Sequence, residues 1–206
     1  NRTYAAFRLE SERFPGLTAK DGSYSKQEFI DLQRMGLEYG VRIIPEIDIP
    51  AHSLAFAHYK PEIASRKYGM DHLDLYKKET YQFVDSLLDE YLSGDNPVFI
   101  GDLHIGTDEY NKKEAEQYRY FTDRYLKFVE KYGKNVRMWG GLKWLPGKTP
   151  VKAEGVTVNA WTYDWVDPVV SLQDGYKLIN TCDTYLYIVP AAGYYRDFLD
   201  HQWIYE

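Results

Sequence analysis

Short apolar runs alternate along the chain with longer amphipathic segments. The apolar runs, each typical of a buried strand, cover residues 41–48, 97–106, 136–140, 156–161 and 177–181, with 185–189 close behind. The amphipathic segments carry apolar residues at three- and four-residue spacing and cover residues 25–39, 79–91 and 113–132. The first helix is expected to begin at Ser25, which forms a capping box with Glu28, and to end before Gly40. This alternation predicts parallel strands joined by crossover helices.

Polar residues and tryptophans stand at the ends of the predicted strands, where a parallel α/β fold builds its ligand sites. They are Glu46 and Asp48, Asp108 and Glu109, Trp139, and Trp161. A complete (β/α)8 barrel needs eight strands and typically about 250 residues, and the pattern supplies about five strands. We therefore predict an α/β fold of the TIM-barrel type that contains about five of the eight strands. The alternative, an open doubly wound sheet, lacks the glycine-rich nucleotide-binding motifs in this sequence.

Composition and charge exclude several classes of protein. Of the 206 residues, 44% are hydrophobic and 27% are charged, which is typical of a globular chain and not of a disordered one. No run approaches the roughly 18 apolar residues of a membrane-spanning helix. The 31 acidic and 25 basic side chains give a net charge of −6, so a long nucleic acid is a poor partner. Cys182 is the single cysteine, which excludes an internal disulfide and a thiolate zinc cluster.

Aromatic residues are in excess, with 20 Tyr, 9 Phe and 5 Trp. Their flat rings suit core packing, and they also suit stacking against sugars or bases. The sequence opens at Asn1 without a charged segment followed by an apolar one, so we expect no signal peptide in these residues. No repeat, linker or low-complexity tract interrupts the chain, which predicts one compact unit.

The sharpest candidate for chemistry is the adjacent pair Asp108 and Glu109, which follows the predicted strand 97–106. Adjacent residues at a strand end point in different directions, so one carboxyl can face a leaving group while the other serves another part of the ligand. Nearby carboxyls also push their pKa values apart, which lets one of them remain an acid near neutral pH. The alternative is structural, since Asp-Glu in the first turn of a helix complements the helix dipole.

A second polar cluster follows the predicted strand 41–48. Glu46 and Asp48 lie two residues apart and share one face of the strand, and His52 follows on the loop. Such a cluster can orient another carboxyl, bind a metal ion, or satisfy backbone groups. Because only His52 and His104 of the 5 histidines lie in these motifs, a hydrogen-bonded network is favoured over a metal site.

The two clusters together resemble the family 20 glycoside hydrolases, which comprise β-N-acetylhexosaminidases and lacto-N-biosidases. The matching motifs are Pro-Glu-Ile-Asp-x-Pro-x-His at 45–52 and His-Ile-Gly-x-Asp-Glu at 104–109. Further segments follow the family's order: 7–18 with its arginine, the tryptophan-bearing strand ends 138–140 and 159–161, and 184–187, which resembles the strand with the active-site tyrosine. The resemblance implies that residues 1–206 form part of a single glycoside hydrolase catalytic barrel.

The resemblance also implies a role for each candidate residue. Glu109 would act as general acid and base, Asp108 would hold the acetamido N–H, and Tyr185 would donate a hydrogen bond to the acetamido oxygen. The substrate's own 2-acetamido group would be the nucleophile of a retaining mechanism. The residues that would bind, support or enclose the sugar are Arg8, Asp48, His52, Trp139 and Trp161.

The implied substrate is a glycan with a terminal β-linked N-acetylhexosamine or a GlcNAc-containing disaccharide. No cofactor, metal or nucleic acid is expected, the location implied by the family is secreted or cell-surface, and the oligomeric state stays open. Two other interpretations remain. One is a non-catalytic or inactive glycan-binding relative of such an enzyme, which the presence of Glu109 disfavours. The other is a metal-dependent barrel hydrolase that uses His52, His104 and Asp108.

Three positions depart from the family pattern. Ala51 replaces the usual glycine before the histidine, and Thr107 replaces the usual second glycine before Asp-Glu. Neither change removes a reactive group. Tyr187 stands where many hexosaminidases carry an aspartate that binds sugar hydroxyls, so recognition of that end of the sugar is expected to differ.

Overall fold

A five-stranded parallel sheet forms the centre of the computed structural model, which describes residues 6–205. Its strands, in spatial order, are β1 (Glu46–Ile49), β4 (Leu103–Gly106), β5 (Val136–Trp139), β6 (Val156–Ala160) and β7 (Lys177–Asn180). Every neighbouring pair is parallel. The order follows the sequence without reversal, as in a barrel, whereas a doubly wound sheet reverses at a switch point. The prediction of an α/β fold of the TIM-barrel type is therefore confirmed.

A small antiparallel hairpin, β2 (Ala64–Ser65) and β3 (Gly69–Leu73), is inserted between β1 and β4. The helices are α1 (Lys26–Glu38), α2 (Leu54–Tyr59), α3 (Lys78–Leu92), α4 (Ala115–Glu130), α5 (Pro168–Gln173), α6 (Asp183–Leu186) and α7 (His201–Tyr205). Short 3-10 turns cover Pro61–Ile63 and Lys112–Glu114. None of the helices within residues 6–205 is long and apolar enough to cross a membrane.

The ends of α1 follow from its sequence. The Ser25 hydroxyl accepts a hydrogen bond from the Glu28 amide, and the Glu28 carboxylate accepts one from the Ser25 amide. This capping box satisfies two backbone donors that the first helical turn would otherwise leave open. Gly40, at φ +70°, adopts the left-handed conformation in which the chain leaves the helix. Both predicted boundaries are confirmed.

The core is formed by the inner faces of the sheet and the apolar sides of α3 and α4. On α4, Tyr118, Phe121, Tyr125 and Val129 recur at three- and four-residue spacing, and all four are buried. Burial of each such side chain stabilises the fold by about 1.5–3 kcal/mol. This packing fixes α4 against β4 and β5, and therefore fixes the loop that leads from β4 into the helix.

The strand predicted at 185–189 is wrong. Residues Asp183–Leu186 form the helical turn α6 instead. The Cys182 carbonyl accepts hydrogen bonds from the amides of Tyr185 and Leu186, and the Asp183 carboxylate accepts one from the Thr184 amide. These local bonds satisfy the backbone without a neighbouring strand, and a short apolar run cannot by itself distinguish the two outcomes.

Two other predicted strands are shorter than expected, since β1 begins only at residue 46 and β4 only at residue 103. The predicted unit, residues 1–206, includes residues 1–5 and 206, which lie outside the described part of the chain.

Candidate active site

The sheet register brings the two polar motifs together. In the β1–β4 pair, Glu46 lies opposite His104 and Ile49 lies opposite Gly106. Gly106 has φ +71°, and a Cβ at this position would lie 1.8 Å from Asp48 Oδ1. Only a glycine permits this approach, which places Asp48 directly against the start of the loop that carries the Asp-Glu pair.

His52 connects the two carboxyls of that pair. Its Nε2 lies 3.3 Å from Asp108 Oδ2 and 3.0 Å from Glu109 Oε2. The Asp108 side chain is 16% exposed and that of Glu109 is 50% exposed, so Glu109 is the carboxyl that faces the open cleft. One imidazole thus contacts both acids, of which Asp108 is largely buried and Glu109 is half exposed.

The loops at this site contain strained backbone. His52, Thr107 and Glu109 have φ values of 52°, 77° and 50°, in the left-handed region that glycine prefers. Each such residue costs about 1–3 kcal/mol and persists only where its surroundings determine it. Thr107, which replaces a glycine of the family pattern, is fully buried and donates from Oγ1 to the Trp139 carbonyl at 3.3 Å. Its own carbonyl accepts a hydrogen bond from the Tyr118 hydroxyl.

The protonation states follow from burial and neighbouring charge. Hydrogen bonds to Asp108 and then Glu109 raise the pKa of His52 to about 10, which makes it a cation at neutral pH. Burial, followed by the negative charge of Asp108, raises the pKa of Asp48 well above its usual range. Asp48 Oδ1 and Asp108 Oδ1 are both buried and lack a hydrogen-bond partner within residues 6–205. A proton on Asp48 would relieve the repulsion between the two carboxyls.

Trp139 is oriented by Glu46. Its indole Nε1 donates to Glu46 Oε1 at 2.8 Å, and its ring centroid lies 4.9 Å from that of His104. Burial raises the pKa of Glu46 and lowers the pKa of His104 to about 4, so His104 is neutral at neutral pH. The sequence placed Glu46 in the candidate cluster on the strand face of Asp48, and the family resemblance assigned it no individual role.

A cluster of three tryptophans follows β5 and β6. Trp161 is buried and donates from Nε1 to the Gly140 carbonyl at 2.9 Å. Its ring centroid lies 5.6 Å from that of Trp165, which stacks on Trp144 at 5.2 Å with 24° between the planes. In the sequence, Trp144 and Trp165 match no family role, which leaves them as candidates for packing or for an outer subsite.

Two residues predicted for the site, Arg8 and Tyr185, make their contacts away from His52 and the Asp108–Glu109 pair. Arg8 forms an ion pair with Asp21 at 2.9 Å, donates to the Gly22 carbonyl at 2.6 Å, and lines a separate cavity. Tyr185 lies in α6 with its ring 6.0 Å from that of Trp203. Burial raises the pKa of Tyr187 to about 12, with further contributions from Tyr195 and then from the charge of Asp108.

One group of side chains within residues 6–205 has the spacing of a metal site. Ligand atoms of Asp48, His52 and Asp108 all lie within 4.8 Å of one another. His104, the other imidazole considered from the sequence, accepts a hydrogen bond from the Gly106 amide through Nδ1. The trio equally forms the hydrogen-bonded network described above, in which His52 is protonated and offers no lone pair to a metal.

Residues 3–196 match the model of the glycosyl hydrolase family 20 catalytic domain. Among curated proteins, the chain is 26% identical to beta-hexosaminidase subunit A2 of Dictyostelium discoideum over 88% of its length and 37% of that protein. It is 25% identical to lacto-N-biosidase of Bifidobacterium bifidum over 84% of its length and 17% of that protein. The chain thus spans well under half of each relative.

Solved structures show the same fold. The beta-N-acetylhexosaminidase from Bacteroides fragilis superposes with a TM-score of 0.73 at 20% identity, over 95% of this chain and 45% of that one. A mutant Streptomyces plicatus beta-hexosaminidase in complex with the product GlcNAc gives a TM-score of 0.72 at 24% identity. The match covers 89% of this chain and 40% of that one.

Proposed function

The chain belongs to glycosyl hydrolase family 20, and from that premise we propose that it removes terminal β-linked N-acetylhexosamine, or a GlcNAc-containing disaccharide, from glycans. One observation carries the proposal: His52 Nε2 lies within 3.3 Å of both Asp108 and Glu109 at the end of β4. In substrate-assisted hydrolysis one carboxyl protonates the leaving oxygen and the other holds the acetamido group that attacks, so the two must lie side by side with different tasks.

In the first step, the 2-acetamido oxygen of the substrate attacks the anomeric carbon, and the bond to the leaving group breaks. Glu109 gives a proton to the leaving oxygen, while Asp108 accepts a hydrogen bond from the acetamido N–H and balances the positive charge of the oxazolinium ring. In the second step, Glu109 takes a proton from a water molecule, the water oxygen bonds to the anomeric carbon, and the bond between that carbon and the ring oxygen derived from the acetamido group breaks. Two displacements on the same carbon retain the anomeric configuration.

The surroundings of the two carboxyls suit these tasks. A proton held on Asp48 would leave the negative charge on Asp108, which is the form that accepts the acetamido N–H. The His52 imidazolium, 3.0 Å from Glu109 Oε2 and 3.3 Å from Asp108 Oδ2, holds both carboxyls in position for these tasks. Such preorganised charges contribute most in a site from which water is excluded.

Trp139 and Trp161 would form the walls around the acetamido methyl group, because each indole is fixed by its own hydrogen bond. The roles inferred by resemblance for Arg8 and Tyr185 stay predictions. Arg8 would have to exchange Asp21 for sugar hydroxyls. Tyr185 would have to reach the acetamido oxygen from α6.

The experiment compares p-nitrophenyl β-N-acetylglucosaminide with p-nitrophenyl β-glucoside, which lacks the internal nucleophile. We expect hydrolysis of the first only, together with strong inhibition by a thiazoline that mimics the cyclised intermediate, since sites complementary to such species bind them far more tightly than substrate. A covalent glycosyl adduct trapped on Asp108 would contradict substrate assistance.

A further inference from the structure

A cavity of about 730 Å³ opens beside Glu109. It lies among the loops at the carboxyl ends of the strands, and its lining includes His52, Tyr68, His72, Trp144 and Trp165. This is large enough for a sugar ring, since small-molecule sites measure about 300–1,000 Å³.

The cavity lies on the leaving-group side of the proposed acid. Glu109 lines it, whereas Asp108, which would hold the acetamido group, is not among its lining residues. A proton donor stands between the sugar that is released and the group from which it is cleaved. On the proposed function, on which this inference rests, the space beyond Glu109 therefore receives the rest of the glycan.

One wall of the cavity is rigid. The Tyr68 hydroxyl donates to Glu114 at 2.5 Å, which fixes the β2–β3 hairpin to the chain after β4. His72 lies 3.0 Å from Asp71 through Nδ1 and 3.3 Å from the Glu109 carbonyl through Nε2. These bonds hold Tyr68 and His72 in place before a ligand binds, which lowers the entropic cost of ordering this wall.

Another part of the lining combines aromatic rings with positive charge. Lys112 Nζ lies 4.6 Å from the centroid of the Trp144 ring, and Lys113 lines the same cavity. Within residues 6–205 neither ammonium forms an ion pair, whereas Lys67 is paired with Glu114 at 2.7 Å. The carboxylates that line the cavity are already engaged, Glu109 by His52 and Asp71 by His72.

A chain with a net charge of −6 thus presents two unpaired ammonium groups on an aromatic wall beside its proposed acid. We propose that this cavity is a subsite for a negatively charged sugar, carboxylated or sulfated, which Lys112 and Lys113 hold against the Trp144–Trp165 pair. The tryptophans supply a flat apolar surface for the sugar ring, and the lysines select for the anion.

The test is equilibrium binding to the intact protein that carries this chain, with Glu109→Gln to slow hydrolysis. Three disaccharides, with GlcNAc β-linked to glucuronic acid, to 6-sulfated glucose or to glucose, are titrated by calorimetry at about 20 mM and about 0.5 M salt. We expect a charged disaccharide to bind about fivefold more tightly than the neutral one at low salt, because two exposed ion pairs are each worth little and are screened at high salt. The uronate and sulfate arms show which anion is preferred.

Lysine variants made in the same background decide whether the preference arises in this cavity. Lys112→Gln with Lys113→Gln should reduce the affinity ratio to about one, and Lys112→Arg with Lys113→Arg should retain it. Lys127→Gln with Lys131→Gln, at the far end of α4, is the matched control for charge and should also retain it.

Equal binding of all three disaccharides, or a preference that survives the loss of both lysine charges, would overturn the inference. Because binding is measured without turnover, that result leaves the proposed function intact. Failure of the wild-type protein to hydrolyse a neutral aryl N-acetylglucosaminide would contradict the proposed function instead.

Discussion

Single residues decide whether the two polar motifs can meet. Gly106 is the clearest case, because a Cβ there would lie 1.8 Å from Asp48 Oδ1 and 2.6 Å from Asp48 Cα. A side chain could move aside, but the second contact is with backbone. Thr107, the next residue, is the contrasting case. It is β-branched and still adopts φ 77°, at an energetic cost.

Gly106→Ala should therefore destabilise the protein by about 3 kcal/mol, as the sum of overpacking and a positive φ. Gly133→Ala is the matched control, because Gly133 has the same φ of 71° with nothing within 4 Å of its added Cβ. It should cost only the conformational strain, about 1 kcal/mol. Denaturant unfolding of both variants makes the comparison, and equal losses would show that the contact with Asp48 is not limiting.

At the scale of elements, the Glu114 carboxylate ties the β2–β3 hairpin to the chain that follows β4. Glu114 is buried and accepts hydrogen bonds from Lys67, Tyr68 and Tyr76 at 2.7, 2.5 and 2.5 Å. These donors, Lys67 first, lower the pKa of Glu114 to about 2. Because Tyr68 lines the cavity beside Glu109, the clamp also shapes the cleft.

Glu114→Gln should destabilise the protein by about 2 kcal/mol at neutral pH, since hydrogen bonds to a charged group are lost. A carboxyl with a lowered folded-state pKa stabilises the fold above its unfolded pKa of about 4.5 and loses that contribution as the pH falls toward 2. The difference in unfolding free energy between wild type and variant should therefore shrink over that range. Glu38→Gln, at an exposed helix end, should show no such change, and a difference independent of pH would contradict the role of the charge.

The elements that the sequence predicts well are the long amphipathic helices. Helices α1, α3 and α4 extend over enough turns for apolar spacing and caps to identify them. The segment 185–189 is too short for such a signal, and local hydrogen bonds around Asp183 decide in favour of a helical turn. In the site, motif spacing predicted Asp48, His52, Asp108 and Glu109 together, but no local pattern indicates the Trp144–Trp165 pair, which depends on loop packing.

At the scale of the whole molecule, five parallel strands in sequence order bring the 46–52 motif and the Asp108–Glu109 pair to one edge of the sheet. That arrangement is the part of a barrel that the chain shares with solved family members, of which it covers well under two thirds. We propose that residues 1–206 act as part of a single catalytic barrel. The arrangement supports one central claim, that Glu109 transfers the proton in glycosidic cleavage.

The most direct test of that claim is the dependence of kcat/KM on the leaving group. In the intact protein, Glu109→Gln should slow aryl N-acetylglucosaminides with poor leaving groups by about a hundredfold or more, because general acid catalysis contributes about that much. Glu154→Gln, an exposed control, should match wild type. A very acidic leaving group needs no proton, so formation of the intermediate should be spared for dinitrophenyl substrates. Equal losses for both leaving groups in a folded variant would contradict the account.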